Sequence, residues 1–538
     1  MEGLVLKYQC NTTPLIVLST MLFVGGCASL PTDVQRVPSY VVKNTGKTGI
    51  GVEVEPVLKR HPGKSGFYVL NDGMEAFVAR MKMADAAEKT LDVQYYIWHF
   101  DKTGRLLYDR LIAAADRGVR VRLLLDDLDT AGKDLGLNLL NLHKNIEVRI
   151  YNPFANRGSR VFGFMTDLSR VNRRMHNKSM TADNQATIVG GRNIGNEYFG
   201  ATSASAFADL DVLAIGPIVG KVSEVFDDYW NSEWVYPISA FKSRQPVTQE
   251  NFSILRKRLT KYVDEARESG YMQAVRESDI LTRGRLKEND YFWGRSVLLY
   301  DAPSKASGTE VTAATHMGPD LIKIFDHAEN ELLIVSPYFV PGKEFTKFLG
   351  QRVKQGVRVR ILTNSLAAND VGVVHAGYMR YRTRLLKYGV ELYEYKSIIT
   401  PGPKKENEKQ KKRWSGSDKA SLHAKTFSVD QKYIFVGSFN LDPRSYKLNT
   451  EMGVLFESVP LAKEFTKQFD QKLLQKAYRL ELITTPASKS DLGYEEYYIQ
   501  WVTIENGKKV TYKTEPEVNW WGRFVVGFLS IFVIESFL

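Results

Sequence analysis

Two short stretches carry residue types suited to chemistry at an anionic centre. The first is His176-Asn177-Lys178, followed by Asp183, Gly190 and Asn193; the second is His423-Ala424-Lys425, followed by Asp430, Gly437 and Asn440. The spacing is the same in both: Lys two after His, Asp seven after, Gly fourteen after, Asn seventeen after. An imidazole exchanges protons near neutral pH and attacks as a neutral base, while an ammonium holds negative charge. One histidine alone reads as structural; the same five identities at fixed spacing, twice, exclude coincidence.

The segments Met175 to Ala182 and Leu422 to Val429 alternate as strands, with the aspartate at a turn and apolar runs (Thr187 to Val189; Tyr433 to Val436) returning. Residues two apart on a strand share a face, so each His should project with its Lys. Asp183 and Asp430 lie an odd offset away and should serve structure rather than bond-making. The glycines suit a tight exit and close approach of a ligand to the backbone.

These stretches sit in a duplicated frame. Residues 116–125, Asp-Arg-Gly-Val-Arg-Val-Arg-Leu-Leu-Leu, correspond to 354–363, Lys-Gln-Gly-Val-Arg-Val-Arg-Ile-Leu-Thr. Each follows an apolar run (Leu91 to Trp98; Leu332 to Val340) and a helical pattern (Leu106 to Ala115; Phe345 to Val353), and each precedes a second short strand (Ile146 to Tyr151; Val390 to Tyr395). The alternation predicts an α/β class with βαβ units and a largely parallel sheet covered on both faces. Phe252, Leu255, Leu259 and Val263 predict a helical connector between the copies. With 538 residues, 25% charged and 43% apolar, the chain is a folded protein of two to four domains. Two cysteines, Cys10 and Cys27, exclude a disulfide framework, and a net charge of +12 suits an anionic partner. The other six histidines show no metal-ligand spacing, so neither a metal nor a cofactor is expected.

Both stretches match the HxKxxxxD signature of the phospholipase D superfamily, and the resemblance runs from about residue 66 to 480. Ser336-Pro337-Tyr338-Phe339-Val340-Pro341-Gly342, Leu366 to Arg382 and the C-terminal Trp520-Trp521 are similar to the bacterial cardiolipin synthase C branch. The resemblance implies a duplicated α/β/α sandwich, with two halves about a pseudo-two-fold axis and one shared active site. It also implies metal-independent phosphoryl transfer through a phosphohistidine, with His176 as nucleophile and His423 as acid. Such a reaction needs a nucleophile, a proton donor and positive charge around the phosphoryl oxygens. Lys178 and Lys425 would supply the charge, and Asn193, Asn440 and Ser438 would bind the phosphate. A carboxylate should orient each histidine; Asp209 and Glu451 are the candidates, with Asp211 as an alternative to Asp209. The implied activity is transfer of a phosphatidyl group to the hydroxyl of phosphatidylglycerol, with phosphatidylethanolamine as a further substrate. Phospholipase D hydrolysis, an exported nuclease and an inactive membrane-bound scaffold are the alternatives. Nucleic acid is not the expected partner, and no motif identifies an accessory protein.

The ends of the chain point to a membrane. Lys7 precedes an apolar run from Leu15 to Val24, too short to span a bilayer, and Val24-Gly25-Gly26-Cys27 resembles a bacterial lipobox with Cys27 as the lipidated residue. The envelope, facing the periplasm, is therefore the expected location. At the other end, Tyr497 to Thr503 and Lys509 to Tyr512 flank Asn506-Gly507, a hairpin signal, before a short apolar segment headed by Trp520-Trp521-Gly522-Arg523 that fits either the headgroup region or a docked core helix. Residues 403–413 carry six basic and two acidic side chains, readable as a solvated loop or a basic lip. The resulting divisions are 1–26 signal, 27–65 linker, 66–245 first half, 246–300 connector, 301–480 second half and 481–538 C-terminal hairpin and interfacial segment.

Overall fold

A computed structural model describes residues 29–201, 207–243, 245–277, 286–308, 310–369, 371–397, 421–485 and 495–532. Cys27 and the basic run at 403–413 lie outside the described residues.

Each copy of the repeat builds six strands in the same order. In the first, β1 (Thr90–Tyr95), β2 (Arg120–Asp126), β3 (Ile146–Tyr151), β4 (Ser179–Ala182), β5 (Ala186–Gly190) and β6 (Asp211–Ile215) line up as β6-β5-β4-β1-β2-β3. In the second, β7 (Glu331–Val335), β8 (Arg358–Asn364), β9 (Glu391–Tyr395), β10 (Lys425–Val429), β11 (Tyr433–Gly437) and β12 (Met452–Glu457) line up as β12-β11-β10-β7-β8-β9. The register repeats too: Leu91 pairs with Val121 and Leu332 with Val359. Helices α1 (Lys102–Asp116) and α2 (Asp134–Leu140) connect the parallel strands of the first copy. After α3 (Gln249–Arg267), helices α4 (Gly342–Lys354) and α5 (Gly372–Lys387) do so in the second. Both copies leave the first of these helices through a glycine in the left-handed region, Gly118 at φ 98° and Gly356 at φ 95°, which accounts for the repeated Gly-Val-Arg-Val-Arg.

The sheets are mixed rather than largely parallel. Only β1-β2-β3 and β7-β8-β9 run parallel; the strands after each HxK pair antiparallel, with tight turns joining β4 to β5 and β10 to β11. The connector ends in two short strands: Phe292–Gly294 joins the first sheet and Ser296–Tyr300 joins the second. α3 lies against the first half, burying Leu259, Val263 and Ala266 in its core. The hairpin Glu496–Glu505 and Lys508–Tyr512 extends the second sheet, with Asn506 and Gly507 both at positive φ.

The halves share a core. Val189, Val212 and Ala214 of the first sheet pack in one cluster with Ile434, Val436 and Val454 of the second. Phe67 stacks on Phe456 across the junction at 3.9 Å between ring centroids. This seam fixes the relative position of the two HxK segments.

Candidate active site

Neither histidine sits within a strand of the main sheets: His176 and Lys178 both precede β4, while Lys425 opens β10 two residues after His423. His176 precedes β4 and its N–H donates to Thr450 O at 2.8 Å, while Thr450 N–H donates back to Arg174 O at 2.9 Å. In the second half Ser421–Leu422 pairs in parallel with Phe207–Ala208, and His423 N–H donates to Ala208 O at 2.8 Å. Each histidine backbone is thus bonded to the other half, immediately before Glu451 in one case and Asp209 in the other.

The side chains complete that exchange. His176 Nδ1 lies 2.7 Å from Glu451 Oε2, and His423 Nδ1 lies 2.5 Å from Asp209 Oδ2. The two carboxylates are register equivalents: Gly190 pairs with Asp211 and Gly437 with Gly453, so residues 209 and 451 hold the same position, two before. Asp211 is committed elsewhere, to buried ion pairs with Arg80 at 2.8 Å and Arg192 at 3.3 Å. A carboxylate accepting from Nδ1–H fixes the tautomer and leaves Nε2 facing the site. Tyr96 and Tyr198 meet His176 and His423 edge-on at 5.0 and 5.3 Å, holding the ring planes.

Lys178 Nζ donates to His176 O at 2.6 Å and Lys425 Nζ to His423 O at 2.5 Å, so each ammonium is drawn back to its own histidine. Both lysines and both carboxylates are buried. Burial, then repulsion from Lys178, Lys425 and His423, holds the pKa of His176 well below the ordinary imidazole value; burial and Lys425 lower His423 against the opposing pull of Asp209. Lys178 is pushed down to about 7 by burial, and Glu451 up to about 7 by burial. Against its burial, Asp209 is held well below the usual carboxylate range by His423, Lys425 and Arg192 together. The site is therefore electrostatically uneven. His176 rests neutral beside a carboxyl that titrates near neutrality, whereas His423, itself lowered, rests beside a fixed anion that draws it back toward its protonated form.

This chain matches the protein family described as "Cardiolipin synthase, PLD-like domain" over residues 81–230 and again over 321–473. It is 42% identical to cardiolipin synthase C of Escherichia coli strain K12 over 485 residues, covering 90% of this chain and 98% of that one. The chain belongs to this cardiolipin synthase, phospholipase D-like family. An uncharacterised Helicobacter pylori protein (strain 26695) is 32% identical over 95% of this chain and 97% of its own length. The fold is also that of phosphatidylserine synthase from Haemophilus influenzae, with a TM-score of 0.52 at 15% identity, covering 79% of this chain and 92% of that one.

The remaining residues of the two stretches have the following partners. Asn193 is held by the fold: Oδ1 accepts from Ile97 N–H at 3.2 Å and Nδ2 donates to Tyr198 Oη at 2.9 Å. Ser438 donates to Glu451 Oε2 at 2.5 Å, and Ser445 reaches Oε1 at 2.9 Å, so both hydroxyls hold the carboxylate that holds His176. Asn440 differs from Asn193, with its Oδ1 buried and without a partner among the described residues. The glycines admit neighbouring chain rather than ligand: a Cβ on Gly190 would lie 2.1 Å from Asp211 Oδ1, and one on Gly437 would lie 2.5 Å from Met452 O.

Asp183 and Asp430 face away from the site. Asp183, in the left-handed region at φ 51°, accepts from the N–H groups of Glu88, Lys89 and Thr90 at 2.7–2.9 Å. Asp430, at φ 54°, accepts from Glu329, Asn330 and Glu331. Each ties the turn after its HxK strand to the start of the central strand. Asp183→Ala is expected to destabilise the fold by ~2–4 kcal/mol, because it strands the buried N–H of Thr90 and two part-buried ones and puts alanine at a positive φ. Turnover per folded molecule should stay within about threefold of wild type; thermal melts with active-site titration measure both.

Spacing concealed two further features. Asp301 accepts from Glu451 N–H at 2.8 Å and pairs with buried Lys305 at 2.8 Å, a support more than a hundred residues from the carboxylate in sequence. His99, Asp101 and Glu197 converge, with one ligand atom from each within 4.8 Å of the others, a potential metal group that sequence spacing does not reveal. His99 pairs with Glu197 at 3.1 Å and Asp101 caps α1 through Gly104 N–H, so all three already have protein partners.

Proposed function

We propose that this membrane-associated bacterial protein is a phosphatidyltransferase that makes cardiolipin, moving a phosphatidyl group through His176 to the hydroxyl of phosphatidylglycerol. The observation that carries the reading is the crossed pair of histidine–carboxylate contacts, which brings one imidazole from each half into a single centre with two lysines.

In the first step His176 Nε2 attacks the phosphorus and an N–P bond forms as the bond to the headgroup oxygen breaks. His423 passes its proton to the departing alkoxide, so the headgroup leaves as a neutral alcohol. Glu451 accepts the Nδ1–H and stabilises the charge that develops on His176. Lys178 and Lys425 hold the phosphoryl oxygens, where negative charge concentrates. In the second step the neutral His423 takes the proton of the incoming hydroxyl, the new P–O bond forms, and the N–P bond breaks. Water in place of that hydroxyl would give phosphatidic acid, so the outcome depends on an acceptor alcohol occupying the site.

The donor is phosphatidylglycerol or phosphatidylethanolamine, and the lipobox-like Val24-Gly25-Gly26-Cys27 supports an acyl anchor at Cys27 on the periplasmic side. Purified protein given both lipids in the presence of a chelator is expected to yield cardiolipin, read by mass spectrometry. Phosphatidic acid as sole product would make the protein a hydrolase, and degradation of plasmid DNA with lipid untouched would remove both lipid readings.

A further inference from the structure

Helix α6 (Trp520–Phe532) follows the C-terminal hairpin and lies on α5, outside the chemistry described above. Its inner side is fastened. Val526 is buried, and its Cγ2 lies 3.9 Å from where a Cβ on Gly372, the first residue of α5, would stand. Arg523 donates to Val518 O at 2.6 Å, and Glu515, just upstream, reaches Arg382 of α5 at 2.5 Å. Its outer side carries aromatic surface of a kind that soluble proteins rarely leave open: Trp520 is 65% exposed, Trp521 57% and Phe524 56%. These rings form a continuous ladder, Trp520 to Trp521 at 5.3 Å and Trp521 to Phe524 at 5.6 Å. Exposed Val371 and Val373, at the start of α5, add to the apolar surface at the end of α5 that meets α6.

We propose that this face of α6, with Val371 and Val373, seats the protein on the surface of a phospholipid bilayer at the rim of the catalytic site. At thirteen residues the helix is ~20 Å long, against ~30 Å of hydrocarbon, so it lies in the interface rather than crossing. No described helix is long and apolar enough to cross a membrane. Paired tryptophans beside an arginine suit the headgroup layer, where an aromatic ring is half in hydrocarbon and half in water. The chain's charge of +12 matches an anionic leaflet rather than a second copy of itself, which would repel. Position supports the same occupant. α5 begins eight residues after β8 ends at Asn364, whose side chain exchanges hydrogen bonds with Leu422, next to His423. The apolar face therefore flanks the end of the sheet where the substrate phosphate must arrive.

The choice of a lipid surface rests on the phospholipid substrates of the proposed reaction. The test uses full-length protein carrying Cys27→Ser, so that acylation contributes nothing. Co-sedimentation with phosphatidylglycerol/phosphatidylethanolamine vesicles should weaken by ~10-fold or more in the Trp520→Ser/Trp521→Ser/Phe524→Ser variant. It should weaken about threefold in Val373→Glu, a single exposed change that leaves the ladder intact and sets a negative charge against the anionic leaflet. Both variants should keep the wild-type melting temperature, and both should turn over detergent-dispersed short-chain lipid at the wild-type rate. Unchanged vesicle binding in the triple variant would overturn the proposal. So would a parent protein that is dimeric in solution and becomes monomeric on the triple substitution, since a second copy would then cover the face. Binding is read without turnover, so vesicle docking with no cardiolipin formed would leave this surface standing and remove the transferase reading instead.

Discussion

Replacing His176 with alanine is expected to lower kcat on natural lipid by ~10⁴-fold or more, and replacing His423 should do the same. The two losses differ in kind. Without His176 there is no nitrogen for the phosphatidyl group to bond, and no donor, however reactive, should leave phosphate on the protein after an acid quench. Without His423 the nucleophile remains, held by Glu451 at 2.7 Å, and only the proton for the leaving alkoxide is missing. A donor whose leaving group needs no proton, such as a p-nitrophenyl phosphodiester, should therefore still label His176 in the His423→Ala variant and release one equivalent of p-nitrophenol in a burst. Peptide mapping of the quenched label decides the assignment. A label on His423 in the His176→Ala variant would reverse the two roles. Half of wild-type activity in each single variant would mean two independent sites and would contradict the crossed contacts.

The residues of the two HxKxxxxD stretches, their duplication and the alternation of strands and helices around them are readable in the chain because they depend on local spacing and hydrophobic period. Ile146–Tyr151 was placed residue for residue, and the Asn506-Gly507 turn lies where its dipeptide preference puts it. What the chain concealed is everything decided by pairing at a distance. An apolar run reads alike whether its neighbour is parallel or antiparallel, so the alternation of strands and helices predicts a largely parallel sheet, although the turn after each HxK stretch returns its strand antiparallel. The segment from Met175 to Lys178 alternates like a strand but is drawn off the sheet by its bonds to Thr450. The crossing of the carboxylates, 275 residues from His176 to Glu451 and 214 from His423 to Asp209, leaves no periodic trace. The same is true of Asn193 and Ser438. Both have the right chemistry for a phosphate, and nothing in their spacing announces that Asn193 Nδ2 also donates to Tyr198 and Ser438 to Glu451.

The carboxylates should each matter about as much as their histidines do, and pH should tell them apart. Glu451→Gln and Asp209→Asn are each expected to lower kcat by ~10³-fold or more, since an amide no longer compels the Nδ1–H tautomer. In the wild-type protein Glu451, raised to about 7 by burial, gains a proton as pH falls through neutrality; the support for His176 as a base weakens with it, and kcat/KM drops. Asp209, held far below the usual carboxylate range beside His423, keeps its charge over the same interval and contributes no such fall. Lys178, lowered to about 7, loses its proton as pH rises and supplies the opposite limb. The wild-type profile on short-chain lipid should then be a narrow bell centred near neutrality, with limbs that belong to the Glu451–Lys178 pair jointly. Glu451→Gln should abolish the acid limb in its residual activity and retain the alkaline one. Asp209→Asn should keep both at a thousandth of the rate. An Asp209→Asn profile that loses its acid limb, with Glu451→Gln unchanged in shape, would show that the titrating support lies under His423 and that the uneven electrostatics run the other way.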